Sequence, residues 1–322
     1  MFAITQDRYG SADVLQHQEV PQPQIAKDEV LVQVRAAGLD RGTWHLMEGT
    51  PYVIRLGFGL RKPRNPIIGL DLAGTVVAVG TEVTRFAPGD EVFGIGKGSF
   101  AQYAAAKEKK LAHKPSSLTF EQAAAVPVSG LTAIQAVRDV ARVTAGQRVL
   151  ITGASGGVGV YATQLCKNAG AEVTGVCSTA KLGLVSELGA DNVVDYTQTD
   201  FTDTDATYDV ILDIGGNTRL KTLRRMLTKK GTLVIVGGEE GGPWIGGVDR
   251  QLRAGMLSPF VGQRLTSFLS KETYVDLEAL TEVIEAGNLT APVDSVFPLA
   301  QAATAMRMLA DGKVKGKVCL SV

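Results

Sequence analysis

The sequence predicts an α/β protein: a doubly wound parallel sheet with a β-rich region ahead of it. Three observations carry this. The run Thr152-Gly153-Ala154-Ser155-Gly156-Gly157-Val158-Gly159 follows a short apolar stretch and opens a helical pattern. From Arg148 onward, strand and helix patterns alternate with short links. About 150 residues precede the glycine run, a whole domain's worth, and the first 120 of them read as β-rich. A chain of 322 residues fits two domains at ~150 residues each.

The elements follow in order. Glu29 to Ala36 alternates, with Val30, Val32, Val34 and Ala36 on one face. Between about Leu39 and Pro66 lies a stretch rich in Gly, Pro and Arg, read as a functional or mobile loop. Gly74 to Gly80 is a more continuous apolar strand, and Pro88-Gly89-Asp90 turns the chain into Glu91-Val92-Phe93. Thr119 is a candidate N-cap with Gln122 as its capping-box partner, so a helix starts near Glu121. Strands then read at 149–152, 172–177, 209–213 and 232–236, with helices at 158–168, 181–188 and 219–227. In the first of these helices Val158, Ala162, Leu165, Cys166 and Ala169 form an apolar stripe. A glycine-rich stretch follows Gly237, then a mixed basic and apolar segment to about Ser270. A helix at 276–285, a strand at 293–299, a helix at 300–310 and a strand at 317–322 close the chain.

Composition narrows the function. Basic and acidic residues balance at 33 each, which argues against a nucleic-acid protein, where a basic excess is usual. No apolar run approaches the ~18 residues of a membrane span. The N-terminal residues lack a basic region followed by an apolar one, so no signal peptide is expected. Three cysteines, Cys166, Cys177 and Cys319, are too few and too scattered for a disulfide framework. Together these readings suggest a cytoplasmic protein. Cys319 stands four from the end, where a prenylation box would lie, but Val318, Leu320 and Val322 alternate like a closing strand.

Chemistry begins at the glycine run. Glycines remove Cβ atoms, so backbone amides can approach a pyrophosphate at the positive end of a helix. Ser155, Gly156, Gly157 and Val158 are the residues so placed. Short-chain dehydrogenases write this run as Thr-Gly-x-x-x-Gly-x-Gly, but their catalytic Tyr-x-x-x-Lys follows it. Here the one such pair, Tyr103 and Lys107, comes before.

The chain resembles instead the medium-chain dehydrogenase/reductase family, in its zinc-free quinone-oxidoreductase branch. The segments that carry the resemblance are 28–38, 69–80, 88–93, 123–133, 153–159 and 188–196. It implies a GroES-like β-rich domain at residues 1–120 and 266–322, a Rossmann domain at 121–265, and a nicotinamide cleft between them. It also implies a homodimer through edge strands near Gln263–Leu269.

Zinc members of that family carry ligands at positions matching Asp40, Leu70 and Ser129. A catalytic zinc needs three protein ligands, and leucine is none. No metal is therefore expected, and reduction of an already electrophilic acceptor becomes the natural chemistry. The second strand ends in Cys177-Ser178-Thr179-Ala180-Lys181, with no acid for a ribose diol. Ser178, Thr179 and Lys181 suit a 2′-phosphate, and the resemblance adds Tyr196, so NADP(H) is the expected cofactor. Gly237 and Lys317 complete the cofactor-binding candidates. Tyr52 and Asp40 are the catalytic candidates, Tyr52 because the resemblance puts a tyrosine near the substrate. Asp40 stands where the branch usually has asparagine, and a carboxylate only accepts unless protonated. Trp44, Met47, Tyr52 and Phe58 suit a small hydrophobic electron acceptor, while Arg55, Arg61, Lys62 and Arg64 form a basic run without an acid. The expected activity is NADPH-dependent, zinc-independent reduction of a quinone or an activated enone or carbonyl. The alternatives are a cofactor-binding regulatory or interaction protein with little turnover, or an NADP-dependent alcohol or aldehyde dehydrogenase.

Overall fold

A computed structural model of the chain describes residues 1–238, 242 and 244–322. It divides into two compact units, Met1–Leu131 with Lys271–Val322, and Thr132–Ser270. Glu239, Glu240, Gly241 and Pro243 of the glycine-rich stretch lie outside the described residues.

The first unit opens with a hairpin of β1 (Phe2–Thr5) and β2 (Gln16–Glu19). Its main sheet is organised on β3 (Glu29–Leu39), where the alternating valines lie buried. β3 pairs antiparallel with β4 (Asp71–Val79), and β4 with β5 (Glu91–Ile95). Tyr103–Lys107, the misplaced Tyr-x-x-x-Lys, is strand β6 against β3. β7 (Leu111–His113) closes that edge against β5.

The stretch read as a loop contains helices: α1 (Arg41–Glu48) and the single turn α2 (Arg55–Phe58). α1 has both end signals. Asp40 caps its start, and Gly49 takes the left-handed conformation at its end, φ 65°. Its buried face is short, Thr43 and Met47, one helical turn apart, and polar and apolar residues segregate around the helix.

Thr119 forms the expected capping box with Gln122 at the start of α3 (Phe120–Ala124). α3 packs closely on β3: a Cβ on Gly38 would lie 2.2 Å from the Ala124 carbonyl oxygen. That packing keeps α3 in the first unit, and the division falls inside α4 (Pro127–Ile134) rather than at residue 120.

The second unit is a six-stranded sheet among the described residues. Its strands are β8 (Arg148–Thr152), β9 (Glu172–Cys177), β10 (Asn192–Asp195), β11 (Tyr208–Asp213), β12 (Leu227–Ile235) and β13 (Arg264–Ser267). All neighbours are parallel, in the order β10-β9-β8-β11-β12-β13. In order of appearance this is 3-2-1-4-5-6, the doubly wound dinucleotide-binding order. The helices are α5 (Gly157–Asn168), α6 (Leu182–Glu187), α7 (Leu220–Arg225) and α8 (Val248–Leu257). α5 is buried from Gly159 to Cys166 without a break, so it is enclosed on all sides rather than along one stripe. β10 and α8 add to the elements read from the sequence, and β13 lies within the 263–269 stretch where the resemblance implies an edge strand.

The chain then returns to the first unit through α9 (Tyr274–Glu285), β14 (Val293–Pro298), α10 (Ala302–Ala310) and β15 (Lys317–Ser321). β15 pairs antiparallel with β3, so the last strand completes the sheet begun by the first residues.

Candidate active site

The strand order reverses between β8 and β11, and ligands of open α/β sheets bind beyond the carboxyl ends at such a switch point. Three glycine-bearing loops meet there. Gly153, φ 70°, leaves β8, and a Cβ on it would lie 2.9 Å from the Gly215 nitrogen after β11. A Cβ on Gly237, beyond β12, would lie 2.0 Å from the Ile214 carbonyl oxygen. Thr152 Oγ1 fixes the reversal, donating to Asp213 at 2.8 Å and accepting from the Gly215 amide at 3.2 Å.

Gly156 is the N-cap of α5, and among the described residues no side chain caps that helix. Its first-turn amides, from Gly157 and Val158, are thus left for a ligand at the positive end of a twelve-residue helix. Ser155 is buried behind them. At Gly159 a Cβ would lie 2.2 Å from the Gly153 carbonyl oxygen, so the third glycine serves packing of loop on helix. This cradle fits a dinucleotide pyrophosphate.

The candidates for the 2′-phosphate gather at the ends of β9 and β10. The Tyr196 amide donates to the Cys177 carbonyl at 3.1 Å, which sets the half-exposed tyrosine beside Ser178. Lys181 is close enough to lower the Cys177 thiol, although burial holds that thiol up. The sequence offers no acid in the 177–181 stretch, but the fold brings one alongside. Asp195, paired with Cys177, accepts from Thr179 Oγ1 at 2.5 Å and from the Thr197 amide and hydroxyl at 2.9 and 2.7 Å. The Thr179 hydroxyl holds its carboxyl below the usual range. The threonines engage both Asp195 oxygens, and Thr179 is committed to that acid rather than open to a phosphate.

The remaining candidates lie in the first unit. Asp40 is buried, and Thr43 engages both its oxygens, the amide at 2.8 Å and the hydroxyl at 3.0 Å. Tyr52 is 38% exposed, with the Arg55 guanidinium 4.5 Å from its ring centre. Arg55 also covers Tyr9 at 4.6 Å and donates to the Gly49 carbonyl, so one cation ties the segment after α1 together. His45 sits 2.9 Å from the Thr50 carbonyl, a structural placement.

Lys317 is fully buried in that unit. Its Nζ donates to Asp71 at 3.2 Å and to Ser129 at 3.1 Å. Asp71 also accepts the Val128 amide, and burial pushes its carboxyl up to about 7 although Lys317 pulls it down. The zinc-ligand positions therefore hold a capping carboxylate, a leucine and a serine bonded to an ammonium. That donor set does not fit zinc: a buried cation is already in place, and leucine has no donor.

Fold and cradle define a two-domain nicotinamide-dependent oxidoreductase. The family profile described as "Alcohol dehydrogenase GroES-like domain" matches residues 26–116, and "Zinc-binding dehydrogenase" matches 188–320. The chain is 31% identical to "Quinone-oxidoreductase QR1, chloroplastic" of Triphysaria versicolor, over 99% of this chain and 97% of that one. It is also 31% identical to "NAD(P)H oxidoreductase RTN4IP1, mitochondrial" of Bos taurus, over 98% of this chain and 88% of that one. The solved mycobacterial Rv1454c complexed with NADPH superposes with a TM-score of 0.86 at 28% identity, covering 100% of both chains. The chain belongs to the medium-chain dehydrogenase/reductase superfamily, in its zinc-independent quinone-oxidoreductase branch. It is an NAD(P)H-dependent oxidoreductase.

Proposed function

We propose that the chain binds NADPH in its second unit and reduces a quinone, or an activated enone or carbonyl, without a metal. The reading rests above all on the three glycine loops that meet at the switch point beside an uncapped helix terminus. Bound NADPH would supply the hydride, and the acceptor takes up that hydride and one proton. Within the chain, Ser155 to Val158 hold the pyrophosphate. Ser178, Lys181 and Tyr196 hold the 2′-phosphate, with Thr179 supporting them through Asp195. Gly237 lets the loop beyond β12 close on the loop after β11, which brings its backbone to the switch point where the cofactor would lie. Lys317 acts on the site through the Asp71 and Ser129 bonds that hold α4 against β4. The Tyr52 phenol, a donor near an acceptor-facing segment, delivers the proton to the product oxygen. Asp40 holds α1, and with it that segment, in place.

We also propose a homodimer. β13 is an edge of the six-stranded sheet. Beside it α8 turns Val248, Leu252 and Met256 outward at four-residue spacing, Met256 74% exposed. An open edge and an apolar stripe together suit a second copy. Three buried free thiols fit a reducing compartment such as the cytoplasm.

Titrating NADPH and NADH against the protein, followed by nicotinamide fluorescence, tests the cofactor assignment. The expected result is NADPH at least about tenfold tighter, with Lys181→Glu removing the preference, since a charge-assisted phosphate contact contributes ~1.5–3 kcal/mol. Equal affinity for the two would overturn the NADPH assignment.

A further inference from the structure

The first unit holds a cavity of about 570 Å³, the size of a site for a small organic ligand. Its interior is apolar: Met47 and Ile68 are fully or nearly buried, Leu70 and Ile67 are partly so, and Leu46 and Phe58 join them. Its charged lining is one-sided. Arg64, Lys97, Lys107, Lys109 and Lys110 face a single acid, Glu272. Three of these cations are neutralised: Lys97 by Glu29 at 2.6 Å, Lys107 by Asp28 at 3.1 Å, and Lys110 by Glu272. Arg64 and Lys109 form no ion pair among the described residues, and both are exposed. They come from different segments, one after α2 and one between β6 and β7, so the fold rather than a basic run brings both to the lining of this cavity. Arg64 is also near enough to act on the Tyr9 phenol, another lining group.

We infer that this cavity takes an amphipathic anion: an apolar body in the interior, with a carboxylate or phosphate at Arg64 and Lys109. A solvated surface charge contributes little by itself. Here, two cations without a close ion pair line an apolar cavity, Lys109 acting only at longer range on the Asp28 that Lys107 already pairs, and an anion seated there is partly desolvated and held by charge-assisted hydrogen bonds. A neutral molecule of the same shape leaves both cations unmatched. Tyr52 is not part of this lining, so the ligand is separate from the acceptor of the proposed function.

Isothermal titration calorimetry of the whole chain with decanoate, decyl phosphate and decanol tests it. Decanol is the most apolar of the three, so burial alone would favour it. The expected result is that an anion binds at least about tenfold tighter than decanol, with the advantage lost in the Arg64→Gln, Lys109→Gln double variant. Decanoate and decyl phosphate separate a carboxylate site from a phosphate site. Decanol binding as tightly as either anion, or an advantage that survives the double variant, would overturn the inference. Both side chains are exposed, so the thermal midpoint of the variant serves as the folding control. Binding heat needs neither cofactor nor turnover. A chain that holds the anion yet oxidises no NADPH would therefore count against the proposed function alone.

Discussion

At the scale of single residues, Lys317 shows what the sequence could not. In the sequence Lys317 stands among the cofactor-binding candidates. The fold instead seals it between Asp71 and Ser129, a contact between residues 246 positions apart. Burying that pair leaves a pH signature. The Asp71 carboxyl is raised from 3.8 to about 7, chiefly by desolvation. The folded chain thus holds this proton more tightly than the unfolded chain, and stability from this group falls as pH rises through that window, then levels off. Lys317 pulls the value down, so its removal raises it further and extends the fall upward. Lys317→Met is expected to cost about 3–5 kcal/mol near pH 8 and distinctly less near pH 5, where Asp71 is protonated. Urea denaturation at the two pH values reads this directly, and an equal loss at both would contradict it. The thiols of Cys166 and Cys319, each pushed up to about 12 by burial, are core groups without nucleophilic character at neutral pH.

At the scale of elements, legibility followed burial. β8 and β9 are apolar and covered, and their ends were readable to within a residue. β10 is an edge strand of half-buried residues with a weak apolar signal, and β13 is another edge. α8 does carry a four-residue period, but its apolar face points outward, against the assumption that such a face marks a core. α1 carries both end signals, Asp40 and Gly49, and a helical segregation of polar and apolar residues over only eight positions, so its shortness inside a Gly- and Arg-rich stretch hid it. The βα5 loop was legible because its glycines do steric work. Gly159→Ala forces a Cβ to 2.2 Å from the Gly153 carbonyl oxygen, so loop and helix must separate. The expected cost is about 1–3 kcal/mol of stability and a loss of NADPH affinity that exceeds any change in decanoate binding. Thermal melts and the two titrations check this, and unchanged NADPH affinity would show that the loop does not hold the cofactor.

At the scale of the whole molecule, the glycine motif identified a nucleotide site, but its position at the switch point follows from strand order, which spacing does not encode. Gly153, Gly215 and Gly237 converge although about eighty residues separate the first from the last. The same long-range folding set Asp195 beside Thr179, an acid that the local stretch did not contain. The open edge at β13 and the outward stripe of α8 belong to this scale as well. Replacing Leu252 and Met256 by glutamate is expected to shift sedimentation from dimer to monomer, to remove the concentration dependence of the melting midpoint, and to leave the secondary structure of the single chain, where both are exposed, unchanged. A wild-type chain that sediments as a monomer would contradict the dimer. The most direct test of the account as a whole is steady-state NADPH oxidation with quinone and enone acceptors, with and without a metal chelator. Turnover of at least one acceptor is expected, at a rate the chelator does not change. Loss of that turnover on chelation, or no oxidation of NADPH by any acceptor despite cofactor binding, would contradict it.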